Sequence, residues 1–103
     1  MITELDVYTF EDFVLNSLNP VVVDYWAEWC APCKMLNPVL EELSTELEGK
    51  VVFAKVNVDA NPELSSGLVS IPTIKVFVQG FCVKEIVGAK PKPALLKLLE
   101  ETL

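Results

Sequence analysis

Val21-Val22-Val23-Asp24-Tyr25-Trp26 runs directly into Ala27-Glu28-Trp29-Cys30-Ala31-Pro32-Cys33-Lys34, and the reading of that passage decides the fold. The first six residues are β-branched or aromatic except for one acid. Continuous rather than alternating apolarity predicts a strand covered on both faces, at the centre of a sheet. The pattern then changes period. Leu36, Val39, Leu40, Leu43 and Leu47 recur at helical spacing, so a helix is expected from near Pro32, a tolerated first-turn position, to a stop at Gly49. Pro38 inside that pattern is expected to kink it. Cys30 and Cys33 therefore fall at the junction of a buried strand and a helix N-terminus. Residues three apart share a helix face, so the two sulfurs can meet and bond. Unpaired N–H groups and the positive end of the helix dipole lie at the same point and favour a thiolate at Cys30. Such a junction suits thiol–disulfide exchange. A purely structural pair, or half of a zinc site, would be the inert alternatives. Zinc needs four ligands, and the chain has neither a second cysteine pair nor any histidine to complete them.

Outward from this junction the chain reads as alternating elements. Ile2 to Leu5 is a short strand. Thr9 as N-cap, with Asp12 three residues on and Phe10, Phe13, Val14 and Leu18 at helical spacing, predicts a first helix ending at Asn19-Pro20. Val51 to Val58 is the next strand, and strand–helix–strand makes a right-handed parallel unit with Val21–Trp26. Asn61 is expected to cap a short helix begun by Pro62. Thr73 to Val78 and Phe81 to Val87 flank Gln79-Gly80, a tight antiparallel hairpin. Pro93 opens a last helix carrying Leu95, Leu96, Leu98, Leu99 and Leu103 on a broad apolar face. The expectation is one α/β domain over residues 1–103.

Composition narrows the function. The 103 residues carry a formal net charge of −7, and all eight basic residues are lysine. This balance disfavours nucleic acid and anionic membrane surfaces as partners. The absence of histidine removes histidine-based triads. Three cysteines are too few for a secreted disulfide framework, and Met1–Asp6 carries acids where a signal peptide needs a basic, then apolar, stretch. A cytoplasmic monomer is expected.

Four separated motifs then carry a likeness. Val23-Asp24-Tyr25-Trp26-Ala27-Glu28-Trp29-Cys30-Ala31-Pro32-Cys33-Lys34-Met35, Lys55-Val56-Asn57-Val58-Asp59, Ile71-Pro72-Thr73 and Val87-Gly88-Ala89 resemble the thioredoxin family, in order and over essentially the whole chain. The resemblance implies the thioredoxin fold: a central mixed β-sheet flanked by helices, the dithiol exposed at one end and a cis Ile71-Pro72 bond packed beside it. It implies a protein disulfide reductase that passes two electrons from a thioredoxin reductase-type donor to client protein disulfides, with no bound cofactor or metal. Ala31 stands where the family usually has glycine, and Cys82 is an extra thiol.

On this reading Cys30 is the nucleophile and Cys33 resolves the mixed disulfide. Asp24, buried in its strand, has its charged form penalised and so is suited to taking the Cys33 proton; the resemblance assigns it that role. Lys55 on the neighbouring strand is expected to pair with Asp24 and pull its pKa back down. Trp29, Ile71, Pro72, Gly88 and Ala89 would form an apolar collar for extended client peptides, with Ala31 and Pro32 against both sulfurs. Trp26 is assigned to the core beneath the site. Cys82, expected to alternate with Lys84 and Ile86 against Phe81 and Val83, reads as a small strand residue, or else as a regulatory thiol. Two rivals stay open: a binding subunit in which the dithiol is incidental, and an oxidant or isomerase on the same fold.

Overall fold

A computed structural model describes residues 1–103. Five strands form one mixed sheet: β1 (Ile2–Leu5), β2 (Val21–Trp26), β3 (Val52–Asn57), β4 (Thr73–Val78) and β5 (Phe81–Val87), in the spatial order β1-β3-β2-β4-β5. β3 runs parallel to both β1 and β2, while β4 is antiparallel to β2 and β5 to β4. The apolar run Val21–Trp26 is thus the central strand, paired on both edges and covered on both faces. The helices α1 (Ala31–Glu46) and α2 (Lys92–Thr102) lie on one face, where Val22, Phe53, Ile74, Val76 and Ile86 meet Leu36, Leu40, Leu43, Leu95 and Leu99. On the other face Val21, Val23 and Tyr25 join Leu5, Ala54 and Val56 under Val14, with Phe10, Phe13, Leu64, Leu68 and Ile71 packed around them. Side chains alternate along a strand, so Asp24 shares Val22's side and lies beneath α1. α1 runs through Pro38 as one element. A Lys92 ion pair with Glu42 (3.4 Å) and another with Glu46 tie α2 to α1.

Three local expectations are corrected. The helix expected after Thr9 is only one π-helical stretch, Glu11–Leu15, and Thr9 does not cap it. Asp6 takes over instead: its Oδ1 accepts the N–H groups of Tyr8 (2.9 Å) and Thr9 (3.0 Å), while Thr9 Oγ1 accepts the Asp6 N–H (3.0 Å). This reciprocal pair, with the Phe10 N–H on the Asp6 carbonyl (3.0 Å), places the start of the turn at Asp6, three residues before Thr9. Leu18, expected on the apolar face, is 99% exposed. At the second site, Asn61 does not cap the 3₁₀ turn Pro62–Ser65. The Asn57 side chain organises that loop, accepting the Asp59 and Ala60 N–H groups, and Asn61 donates back to the Asn57 carbonyl. The third correction concerns Cys82. Val76 sits opposite Lys84 but Phe77 opposite Cys82, so Val83 is an extra residue in a β-bulge. The bulge takes Cys82 off the face of Lys84 and Ile86 and onto that of Phe77, where it is exposed and free.

Gln79 and Gly80 both have positive φ, 50° and 85°, between the paired residues Val78 and Phe81. This is the mirror-image turn that matches strand twist, and glutamine is a poor occupant of its first position. Gln79→Asn is expected to raise unfolding free energy by about 0.5–1 kcal/mol in urea titrations. A loss of stability would contradict the turn assignment.

Candidate active site

The end of β2 delivers the chain to the start of α1, and Cys30 is the helix N-cap, with extended backbone angles (φ −92°, ψ 102°). Its sulfur occupies the place usually held by a serine or aspartate oxygen: Cys30 Sγ accepts the Cys33 backbone N–H at 3.2 Å. One of the helix's free donors is therefore aimed at sulfur, in line with the helix dipole. The Cys30 carbonyl accepts from Lys34 N–H (3.2 Å), so the first turn is fully formed around the motif. The two cysteines are joined as a disulfide with Cα atoms 5.3 Å apart, within the usual span of such bonds. The protein is in its oxidised state. The dithiol expected to be exposed is instead nearly enclosed, Cys30 being 4% and Cys33 2% accessible. Ala27, Val58, Ile71 and Trp26 pack around the pair.

Asp24 is buried as expected, only 3% exposed, and its Oδ1 has no hydrogen-bond partner in the protein. Burial pushes its carboxyl up from 3.8 to about 7, with the Lys55 charge pulling the other way. Lys55 is Asp24's register neighbour on β3, yet the expected ion pair is not formed. The Lys55 ammonium lies over the Trp26 ring, 5.0 Å from its centroid. Trp26 is accordingly half-buried rather than in the core, and its indole N–H donates to Glu4 Oε2 (3.2 Å). Asp24, Lys55 and Cys33 line one cleft of about 260 Å³, with Trp26, Glu28, Lys34 and Asn37 completing its wall.

Trp29 is 70% exposed beside the sulfurs, its indole N–H held by Asp59 Oδ2 at 2.8 Å. The Ile71-Pro72 bond is cis, and Gly88, at φ 93°, donates its N–H to the Pro72 carbonyl at 2.8 Å. Trp29 and Ile71 share a groove of about 440 Å³ with Val58, Ser65, Leu68 and Ser70. Ala89 is not part of that groove: it lines a separate depression with Met35, Leu36 and Val39. Ala31 and Pro32 are exposed on the first turn of α1. Sequence reasoning missed Val58, Leu68, Asp59 and Asn37. Asp59 was within reach, because an exposed indole needs a partner for its N–H and an acid follows the third strand directly. Nothing local marks Leu68, which reaches the groove only because the loop before the cis proline folds back over β2.

The buried carboxyl has a measurable consequence. A folded-state value near 7 against 3.8 unfolded means the native state holds this proton more tightly. Its stabilisation is complete below about pH 4 and is lost as pH rises through about 7, at a cost of up to about 4 kcal/mol. Asp24→Asn has no such proton to lose. Relative to the parent, its unfolding free energy is expected to rise across this interval and level off above it, by denaturant titration at several pH values. A pH-independent difference between the two proteins would contradict the assignment.

The comparisons with known proteins agree with this geometry. A family profile described as Thioredoxin matches residues 1–101. The chain is similar to Thioredoxin 1 of Nostoc sp., 47% identical over 97 residues that cover 92% of this chain and 91% of the relative. It is similar to the Thioredoxin of Mycobacterium tuberculosis, 50% identical over 97 residues, 92% of this chain and 84% of that one. It also resembles the Bifunctional thioredoxin reductase/thioredoxin of Mycobacterium leprae, 50% identical over 100 residues, which are 95% of this chain but 22% of that protein. With a five-stranded mixed sheet, a cysteine pair at the first turn of the helix after the central strand, and this degree of identity along almost its full length, the chain belongs to the thioredoxin family of thiol–disulfide oxidoreductases.

Proposed function

We propose that the reduced protein donates two electrons to client protein disulfides through Cys30, with Cys33 resolving and Asp24 handling the proton. The Cys30 thiolate attacks one client sulfur; the client S–S bond breaks and a mixed disulfide forms, the second client sulfur leaving as a thiolate that takes a proton from solvent. The Asp24 carboxylate then accepts the Cys33 proton. The Cys33 thiolate attacks Cys30 Sγ, the bond to the client breaks, and the intramolecular disulfide closes as the remaining client sulfur leaves as a thiolate that takes a proton from solvent. The dithiol has lost two electrons and the client disulfide has gained them.

The observation that carries this reading is the pairing of a sulfur at a helix N-cap with an unpartnered carboxyl in the cleft that also contains its partner cysteine. A carboxyl near 7 can both accept and return a proton at neutral pH, and Lys55 keeps it from rising further. Trp29, Ile71, Pro72 and Gly88 form the client side, where the Ile71 main chain can pair with an extended peptide, with Ala89, Ala31 and Pro32 bordering it. The electrons return from a thioredoxin reductase-type donor. The joining of reductase and thioredoxin in the name of the Mycobacterium leprae relative supports that partner. The working unit on this reading is a cytoplasmic monomer, one domain over residues 1–103, with the dithiol itself as the electron carrier and no cofactor or metal. No helix is long and apolar enough to cross a membrane.

The test is dithiothreitol-driven reduction of insulin. Cys30→Ser is expected to abolish it. Cys33→Ser is expected to attack but not resolve, accumulating clients as mixed disulfides that run as shifted, reductant-sensitive bands on gels. Turnover by Cys30→Ser, or parent-like turnover by Cys33→Ser without trapped adducts, would overturn the scheme.

A further inference from the structure

The cleft beneath α1 contains a polar side chain that the scheme above leaves unused. Asn37 stands four residues after Cys33 on α1, so the two lie on the same side of the helix. It lines the cleft of about 260 Å³ with Asp24, Cys33 and Lys55. Asp24 is 3% exposed and Asn37 is open to solvent, so the cleft leads from a buried carboxyl to the surface. Its volume is several times the roughly 30 Å³ that one water occupies in the liquid. At its inner end, Asp24 Oδ1 is a buried acceptor without a protein partner, the kind of atom that water satisfies.

Charged side chains line the cleft around Asp24. Lys55 on β3 and Lys34 on α1 bring positive charge, and Glu28, between β2 and α1, brings negative charge. From β4 the register neighbour is Ile74, which brings none. Asn37 differs from the charged groups in kind. A carboxamide offers two donors and an acceptor without changing protonation over the working pH range, so it can hold a water in one orientation throughout. Asparagine is also a weak helix former, and its place in the second turn of α1 does nothing for the helix itself.

We propose that Asn37 is a positioning residue for proton transfer: its amide holds the water that connects the Asp24 carboxyl with solvent. The proton moves from Cys33 Sγ to Asp24, from Asp24 to that water, and out through the cleft, so that the carboxylate is regenerated between turnovers. No electrons move in this relay. The inference rests on the reading of Asp24 as the acceptor of the Cys33 proton.

The experiment measures insulin reduction by the pre-reduced protein from about pH 6 to 9 for the parent, Asn37→Leu, Asn37→Gln and Asp24→Asn, with Cys30 alkylation followed in parallel. Asn37→Leu keeps the bulk and removes the amide. It is expected to slow reduction about fivefold near neutrality, with the gap closing at high pH where hydroxide takes the Cys33 proton directly. Cys30 alkylation should not change, and Asn37→Gln should recover most of the rate. Because Asn37 is exposed, circular dichroism of each variant should match the parent. Parent-like rates in Asn37→Leu while Asp24→Asn is impaired would overturn the role of Asn37 alone. So would a slowing that is the same at every pH, which would mark a client contact rather than a proton route. An unimpaired Asp24→Asn would remove the reading of Asp24, and this inference with it.

Discussion

A backbone N–H pointed at a sulfur is the contact on which this molecule depends. The Cys33 amide reaches Cys30 Sγ because Cys30 occupies the N-cap of α1, and α1 starts there because β2 ends four residues before that cap. β2 in turn is fixed by pairing on both edges and by apolar cover on both faces. The sulfur's electrostatic environment is therefore set by the most rigid strand of the sheet. A thiol on a surface loop would meet the same groups only part of the time.

That rigidity has a cost placed in the same strand. Asp24 stands among Val22, Val23 and Tyr25 in a strand that would be more stable with an apolar residue there, and one of its oxygens has no partner in the protein. Burial, the cause of that cost, also brings the carboxyl to about 7, where it can exchange protons at neutral pH. Lys55 moderates the effect from a distance while its ammonium rests on Trp26. The same carboxyl thus weakens the fold and fits it for proton transfer, a common relation between active-site groups and stability.

Much of this was legible in the sequence because the signals were local and unopposed. The run Val21–Trp26 and the stripe Leu36–Leu40–Leu43 each have one sensible period, and Gln79-Gly80 has one sensible turn. Asp24 was conspicuous as an acid in an apolar strand. The failures arose where side chains competed for the backbone. Thr9 has the right chemistry for a cap, but its hydroxyl is turned back onto the Asp6 N–H, while Asp6 accepts the Tyr8 and Thr9 N–H groups. Asn61 loses the loop to Asn57 in the same way. The face of Cys82 was misread because a bulge, which adds one residue without any sequence mark, inverts everything beyond it. The position of Lys55 depended on an aromatic ring two residues along the neighbouring strand, and the closure over the cysteines on a distant loop. Neither is encoded in a window of sequence around the residue concerned.

The central claim is that the start of α1 stabilises an anion on Cys30, and the pH dependence of Cys30 alkylation in the reduced protein tests it most directly. Enclosure of the cysteine changes the absolute rate, whereas the midpoint of the profile reports ionisation alone. The account predicts a midpoint well below that of free cysteine measured in the same buffer, with Cys30 reacting as a thiolate at neutral pH. A profile that coincides with free cysteine, or lies above it, would contradict it.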